Sequence, residues 1–516
     1  MNNRVFYNWV PKKLDVYLLL LLSIMLSFNS GIPSTVSGYV VGSQSALAAD
    51  LSMASFAYFS GMACALPLTL RLVQFTNRKL ILCLIFPVLI FLNFLLSVTD
   101  QPLILVMVSF VIGFLKMIAT LVVVLSLIPI LMPTGERYQL YCLYYPLSLA
   151  FGPVAGFLAA SLADHYNWEI SIHAQNLFLF SGLLLIIYLV HPNRSHRKIP
   201  LYQYDWIGTL LYAIGMLLTS YVVAYGLTED WFTSLKIQMA TAGAAISFVL
   251  FIRNSVTTKR PLFSFVFFRF WKPVLGVTLL LIFCLFFSTS SLISPFLNII
   301  LRNNPVESAT INTFVIPGYL AGTMFCFLYY RRFTNFNIPA AVACACYLAS
   351  NLLMYHLTSS YTDPASLFLP MFLRALATVT TYISVGIYMT TNIPVQFLND
   401  LTIFIILVRT LLAPLLAAAI YGNWLYSGSI RHLNMLADNM DRLNPYVAAR
   451  GAGVFSSVRN QASLLAIRDA YGILIVAGIV LLIFIIVFPF HGSDKRTIFN
   501  WQNPQIGKEV AQSITV

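Results

Sequence analysis

Charged residues are scarce in this sequence. Only 9% of its 516 residues are Asp, Glu, Lys or Arg, while 59% are hydrophobic, for a mean hydropathy of +0.83. A soluble globular chain carries about 25% charged residues. There is too little polar surface to face water, so an aqueous fold is excluded and the bilayer becomes the solvent. Acids are the rarer sign, 17 against 30 Lys and Arg, for a net charge of +13. They keep to the ends of the apolar runs: Asp15, Asp205 and Asp400 near one set of ends, Asp50, Asp164, Glu169 and Asp469 near the other. No carboxylate falls in the middle of a run.

Reactive motifs are missing as well. His165, His173, His191, His196, His356, His432 and His491 are scattered, and there is no HExxH, CxxC or P-loop. An enzyme is therefore not expected, nor a metal or other cofactor, nor transport driven by the chain's own ATP hydrolysis. The seven Cys lie within apolar runs at spacings that suit neither a zinc site nor a disulfide framework. Basic residues come in ones and twos, without a basic domain, so nucleic acid is not an expected partner. The first apolar run continues as a membrane helix, so no cleavable leader is expected.

What the sequence does have is apolar runs. Spanning backbone must satisfy its own hydrogen bonds, and continuous runs without period-two alternation predict helices rather than a barrel. The runs are 14–37, 50–73, 80–98, 102–131, 139–162, 174–191, 206–226, 235–253, 273–300, 308–330, 338–357, 365–390, 400–422 and 469–490. They predict an all-α integral membrane protein with 14 transmembrane helices. An even number puts both termini on one side. With the termini inside, 20 of the 30 basic residues lie in inner segments and only Lys236 and Arg302 in short outer loops. The positive-inside rule then places both termini in the cytoplasm.

Three cations, Lys116, Arg374 and Arg409, lie within spans. Two of them belong to an internal repeat. Lys116 and Arg374 are 258 residues apart, as are Phe75-Thr76-Asn77 after span 2 and Phe333-Thr334-Asn335 after span 10. Gly152-Pro153-x-x-Gly156 in span 5 matches Ala413-Pro414-x-x-Ala417 in span 13 at a separation of 261. Three features in chain order predict two six-helix halves, with spans 7 and 8 inserted between them. The expected segments are an N-terminal bundle over 1–198, two inserted helices with basic linkers over 199–272, a C-terminal bundle over 273–493 and a tail over 494–516. The outer segment 423–468 has apolar residues at helical spacing and predicts amphipathic helices at the outer surface. Parallel halves of this kind are a transporter architecture, with substrate bound between them near the midplane.

Several stretches carry a family resemblance. GPVAG in span 5, DWIGTLL at 205–211 with YGLTEDWF at 225–232, KRPLFSFVFFR at 259–269 and NQASLLAIRDAYG at 460–472 resemble the 14-helix drug:proton antiporter branch of the major facilitator superfamily. The resemblance implies a multidrug-type secondary exporter of the bacterial cytoplasmic membrane, working by alternating access with proton antiport. The expected partners are the lipid bilayer and a small amphipathic substrate; the outer segment 423–468 offers either a cap over the cleft or a docking place for a periplasmic adaptor and, through it, an outer-membrane channel. The chain departs from the family where LRLVQFTNRK, 70–79, has Gln74 in place of an acid and Leu70 and Asn77 in place of glycines. Helix 1 also lacks the branch's Asp.

A cation at the bilayer centre costs roughly 2.5–3.5 kcal/mol on insertion scales, so it faces a cavity or a partner. The resemblance implies that the fourth helix of each half lines the central cavity, so Lys116 on span 4 and Arg374 on span 12 are expected to look into the cleft from opposite halves. The alternative is that each pairs with a carbonyl or snorkels. Asn29 and Ser34 on span 1 and Thr289 and Ser290 on span 9 are the polar substrate candidates, although Ser and Thr equally bond helix to helix. Gly152, Pro153, Gly156 and Pro414 form an antiporter-type motif, read either as a flexing bend or as a static packing kink. Lys116, Arg409 and Asp15 are the candidates for ion coupling. A positive cleft predicts anionic or neutral amphiphiles in preference to lipophilic cations. A lipid or lipid-linked oligosaccharide flippase, an uncoupled transporter of an anion, and uptake in place of export remain open alternatives.

Overall fold

The structure is a computed structural model that describes residues 5–43, 47–131, 137–192, 204–258, 261–263, 268, 270–301, 304–333, 335–390, 395–438 and 453–488. Its helices are α1 Asp15–Phe28, α2 Ser37–Ser43, α3 Ala48–Phe75, α4 Arg78–Val98, α5 Pro102–Leu131, α6 Arg137–His165 and α7 Trp168–Leu189. The inserted pair is α8 Trp206–Tyr225 and α9 Leu235–Thr257. The second half contains α10 Trp271–Phe287, α11 Ser290–Ile300, α12 Pro305–Thr313, α13 Val315–Tyr330, α14 Asn337–Leu357, α15 Phe368–Thr390, α16 Val395–Leu407, α17 Ala413–Ala437 and α18 Gly453–Val487. Among the described residues there is no named strand, only an isolated bridge between Phe6 and Val190.

Thirteen helical segments are long and apolar enough to cross a bilayer. The expected span 14–37 is the exception, because it is broken. α1 stops at Phe28, and a short 3-10 turn, Ser34–Val36, leads into α2. The local sequence NSGIP explains the break. Gly31 adopts φ +70°, a left-handed conformation that glycine enters without steric cost. Pro33 then removes a backbone donor and disfavours helix at the residue before it. Span 9 is interrupted in the matching place. α10 ends at Phe287 and α11 starts at Ser290, with the Ser288 hydroxyl donating to the Cys284 carbonyl at 2.8 Å.

The two halves repeat each other's neighbour pattern. In the first half α3 packs on α5, α4 on α5 and α7, α1 on α5 and α6, and α6 on α7. In the second half α13 packs on α15, α14 on α15 and α18, α10 on α15 and α17, and α17 on α18. Each helix pair of one half recurs in the other, and α8 and α9 stand outside the pattern, packed on each other and against α3 and α17. The tightest crossings are equivalent too. A Cβ on Gly61 would lie 2.0 Å from the Phe110 carbonyl oxygen, and one on Gly113 would lie 1.9 Å from that of Tyr58. In the second half a Cβ on Gly318 would lie 2.3 Å from the Phe372 oxygen. Without side chains there, the second and fourth helices of each half touch backbone to backbone.

The described parts of the segment 423–468 are helical and continue the last two spans. α17 runs on to Ala437 and α18 begins at Gly453, so the last two spans extend beyond their apolar runs as a packed helical pair. Ala466 packs at Gly428, and the His432 ring meets the Asp469 carboxylate at 2.7 Å. Polar residues at helical spacing fit a rod as well as a flat helix, and the packing of α17 on α18 decides between them. Residues 439–452 of that segment, the linker 193–203, Thr334 and the tail 494–516 lie outside the described residues. The two glycines of the span 5 motif differ in their surroundings. Nothing lies within 4 Å of a Cβ built on Gly152, whereas at Gly156 the Thr35 methyl comes to 3.2 Å.

Candidate functional site

The first-half site is built on the break in span 1. Asn29 is fully buried and ends α1, leaving carbonyls that no further helical turn can satisfy. Lys116 on α5 supplies the missing donor. Its Nζ donates to the Asn29 carbonyl at 2.5 Å and to the Tyr58 hydroxyl at 2.7 Å, and lies 5.4 Å from the Tyr58 ring centroid. The Tyr58 hydroxyl in turn donates to the same carbonyl at 3.0 Å. The Asn93 amide donates to the side-chain oxygens of Asn29 at 3.2 Å and Asn176 at 3.0 Å. Gln175 clamps the loop from the other side, donating to the Gly31 carbonyl at 3.1 Å and accepting from the Ser30 amide at 3.2 Å. Asn29 Nδ2 and Asn93 Oδ1 remain buried without a partner among the described residues.

The second half repeats this arrangement at the break in span 9. Arg374 on α15 donates from Nη1 to the Thr289 hydroxyl at 3.2 Å. Thr289 is 1% exposed and forms the junction between α10 and α11. Each fourth-helix cation therefore reaches the interruption of the first helix of its own half. Both side chains are half-buried, and their hydrogen-bond partners lie within their own bundle. The carbonyl-pairing alternative is what Lys116 realises. Among the described residues no carboxylate pairs with Lys116, Arg374 or Arg409.

The remaining candidates separate. Ser34 and Ser290 are exposed; Ser290, Ser294 and Asn298 form one exposed polar face of α11 at four-residue spacing. Asp15 is buried in the first turn of α1, roughly 20 Å along the helix from Asn29 at 1.5 Å per residue, so it does not join the Lys116 group. Pro153 lies inside the uninterrupted helix α6. Gly156 accepts the Thr35 hydroxyl on its carbonyl at 3.0 Å, which ties α6 to the far side of the span 1 break. Pro414 follows a π-helical turn, Val408–Leu412. Proline offers no N–H to the preceding turn and crowds it, and one wider turn accommodates both.

Arg409 sits in that π turn, at the seam between halves. Its guanidinium carbon lies 5.0 Å from the ring of Tyr145, on α6 of the first half, and 5.2 Å from that of Tyr382, on α15 of the second. Those two rings are 6.1 Å apart. Around them Cys142, Tyr145, Cys326, Tyr330, Val379 and Ile383 form one buried cluster drawn from both halves. Across the seam α6 also packs on α12, α13 and α15, and α12 on the 3-10 turn Ser34–Val36. Sequence reading missed Tyr58, Asn93, Tyr145 and Tyr382. Asn93, a lone amide in the apolar run 80–98, was the one visible signal; tyrosines are too common here, at 27, for any single one to stand out.

No family model and no curated protein sequence matches the chain. Solved structures do. A transporter of the POT family in complex with 5-aminolevulinic acid is similar over 93% of this chain and 97% of its own, at 12% identity and a TM-score of 0.57. A peptide transporter POT in complex with sulfate is similar over 91% and 94%, at 13% identity and 0.56. The nucleoside transporter NupG is similar over 92% of this chain and 100% of its own, at 11% identity and 0.53. At such identities the likeness speaks for the fold, and the chain has the all-helical, membrane-spanning fold of these solved transporters.

Proposed function

We propose that the protein is a secondary active transporter that exports small amphipathic molecules by alternating access of its two halves. The observation that carries this reading is the repeated break. Each half interrupts its first helix near mid-span and anchors the interruption with a lone cation from its fourth helix. Unwound backbone at membrane depth is tolerated only where it is buried in protein or lines a cavity, and transporters place substrate sites there. The fold neighbours carry small polar solutes by name, peptides and nucleosides, which supports a solute of that size. Three in-span cations with no carboxylate paired to them favour an anionic or neutral head over a cationic one. The repeat pairs spans 4 with 12 and 5 with 13 and leaves 7 and 8 outside, which counts against a lipid flippase.

In this reading protons flow against substrate, and Lys116 is the group that carries them. Of the three cations only a lysine releases a proton in a protein, since arginine stays charged. Deprotonated Lys116 would loosen its hold on the Asn29 carbonyl and so link protonation to the shape of the break. Arg374, bound to a single hydroxyl, keeps a constant charge in the other half.

The test is flux in liposomes that hold the purified chain. An imposed pH gradient drives counterflow of a labelled amphiphilic carboxylate by the native protein. Lys116→Arg keeps the charge and stops gradient-driven flux while substrate exchange without a gradient continues. Gradient-driven flux that survives Lys116→Arg removes the coupling role; absence of flux of any amphiphile by the native chain removes the transporter reading.

A further inference from the structure

We propose that Arg409 is the binding point for the carboxylate of an amphipathic substrate, an inference that rests on the transporter reading above. The three in-span cations differ in what they already hold. Lys116 has two oxygen partners and Arg374 has a hydroxyl. Arg409 has only rings, and its Nη1 is buried without a hydrogen-bond partner among the described residues. A guanidinium carries five N–H donors in a rigid fork that matches a carboxylate in two parallel bonds. Left buried and unpaired, such a donor is costly, and cation–π contact offsets only part of that.

The geometry gives the guanidinium ring contacts but no oxygen partner for Nη1. The distances 5.0, 5.2 and 6.1 Å close a nearly equilateral triangle, so the Tyr145 and Tyr382 rings converge on the same side of it. They flank the charge and do not sandwich it. Tyr144 and Cys284 also lie near the guanidinium, and none of these neighbours accepts a hydrogen bond from Nη1 among the described residues. The rings provide an apolar floor for the body of a bound molecule, and the fork provides the anchor for its head. The π turn supports the assignment, since single wide turns recur at functional sites. Because Tyr145 belongs to one half and Arg409 to the other, a carboxylate that draws the guanidinium away also loosens the seam. Occupancy and opening are thereby joined in one contact.

Binding is measured on the full chain in lipid nanodiscs with a pyrene-labelled carboxylate and its uncharged primary amide. A charge-assisted hydrogen bond contributes enough for the native chain to prefer the carboxylate by about tenfold or more. Arg409→Gln brings the two probes within about twofold of each other while amide binding stays unchanged, and Arg409→Lys gives an intermediate preference. Should Arg409→Gln not fold, the native chain is treated with an arginine-directed dicarbonyl, and the carboxylate but not the amide slows modification of Arg409. A preference that survives Arg409→Gln, one lost in Arg374→Gln instead, or an Arg409 left unprotected overturns the site. Native chain that binds through Arg409 yet moves no amphiphile in liposomes keeps the site and discards the transporter reading.

Discussion

The Lys116 ammonium donates to the Asn29 carbonyl at 2.5 Å, and Asn29 is the residue at which the first helix stops. A side chain thus replaces the turn of helix that the sequence NSGIP prevents. Arg374 and Thr289 stand in the same relation in the second half, at 3.2 Å. Cations placed alike in two bundles serve matching interruptions in the backbone.

Lys116→Ala removes two charge-assisted bonds from a buried loop, and bonds to charged groups contribute about 1.5–3 kcal/mol each at most. We expect it to destabilise the protein by about 3–6 kcal/mol, and Arg374→Ala, which removes one bond, by about half as much. Thermal unfolding in detergent micelles orders the two. An Arg374→Ala protein less stable than Lys116→Ala contradicts this account of the break.

Glycines divide into those that touch backbone and those that do not. Gly113→Ala puts a Cβ 1.9 Å from the Tyr58 carbonyl oxygen, and no flexible side chain is there to yield. Overpacking of this kind costs about 1–3 kcal/mol or more, and here it also shifts Tyr58 away from Lys116. Gly152→Ala meets nothing within 4 Å and gains up to about 1 kcal/mol of helix propensity. Expression yield and melting temperature, measured side by side, should fall for Gly113→Ala and hold or rise for Gly152→Ala.

Asp205 joins the inserted pair. Its carboxylate accepts from the Gly208 amide at 2.8 Å, capping α8, and from the Asn254 amide of α9 at 2.9 and 2.8 Å. Asp205→Ala loses the cap and strands Asn254, for about 1–3 kcal/mol. Limited proteolysis should then open the inserted pair first. Equal resistance in the variant and the native chain would show that packing of α8 on α3 and α17 suffices without the carboxylate.

At the turn between α8 and α9, hydrogen bonds from Lys236 at 2.8 Å and Ser234 at 2.7 Å hold the Glu229 carboxyl below its ordinary value of 4.5. A depressed folded value means support that is present above the ordinary glutamate range and is lost as pH falls through the lowered value. The group is at the surface, so the effect is small and screened by salt. The protection factors for hydrogen exchange of residues 226–234, corrected for the intrinsic pH dependence, should stay constant down to about pH 4.5 and fall only below it. Glu229→Gln should remove that step.

Much of the fold was legible because hydropathy is local. Runs such as 102–131 and 206–226 became helices at nearly the same bounds, and the 258-residue spacing of Lys116 and Arg374 anticipated the repeated neighbour pattern. The break in span 1 was written in Gly31 and Pro33, yet an apolar window averages over them and reads one helix. The target of each cation was not legible. Side chains of Lys and Arg are long, and whether they cross a cleft or turn back to a carbonyl depends on which neighbour offers an acceptor. The extension of α17 and α18 beyond their apolar runs was hidden for a similar reason, since polar residues at helical spacing suit a rod or a surface helix alike.

By itself the sequence determined that this chain is helical, spans a bilayer about fourteen times and is built from two like halves, because burial of apolar backbone in lipid admits few other solutions. Only the tertiary structure decided which glycines meet backbone, that Lys116 holds Asn29, and that Arg409 lies against Tyr145 of the other half. Those contacts depend on crossing angles and side-chain directions between helices far apart in the chain, and hydropathy along one helix does not encode them.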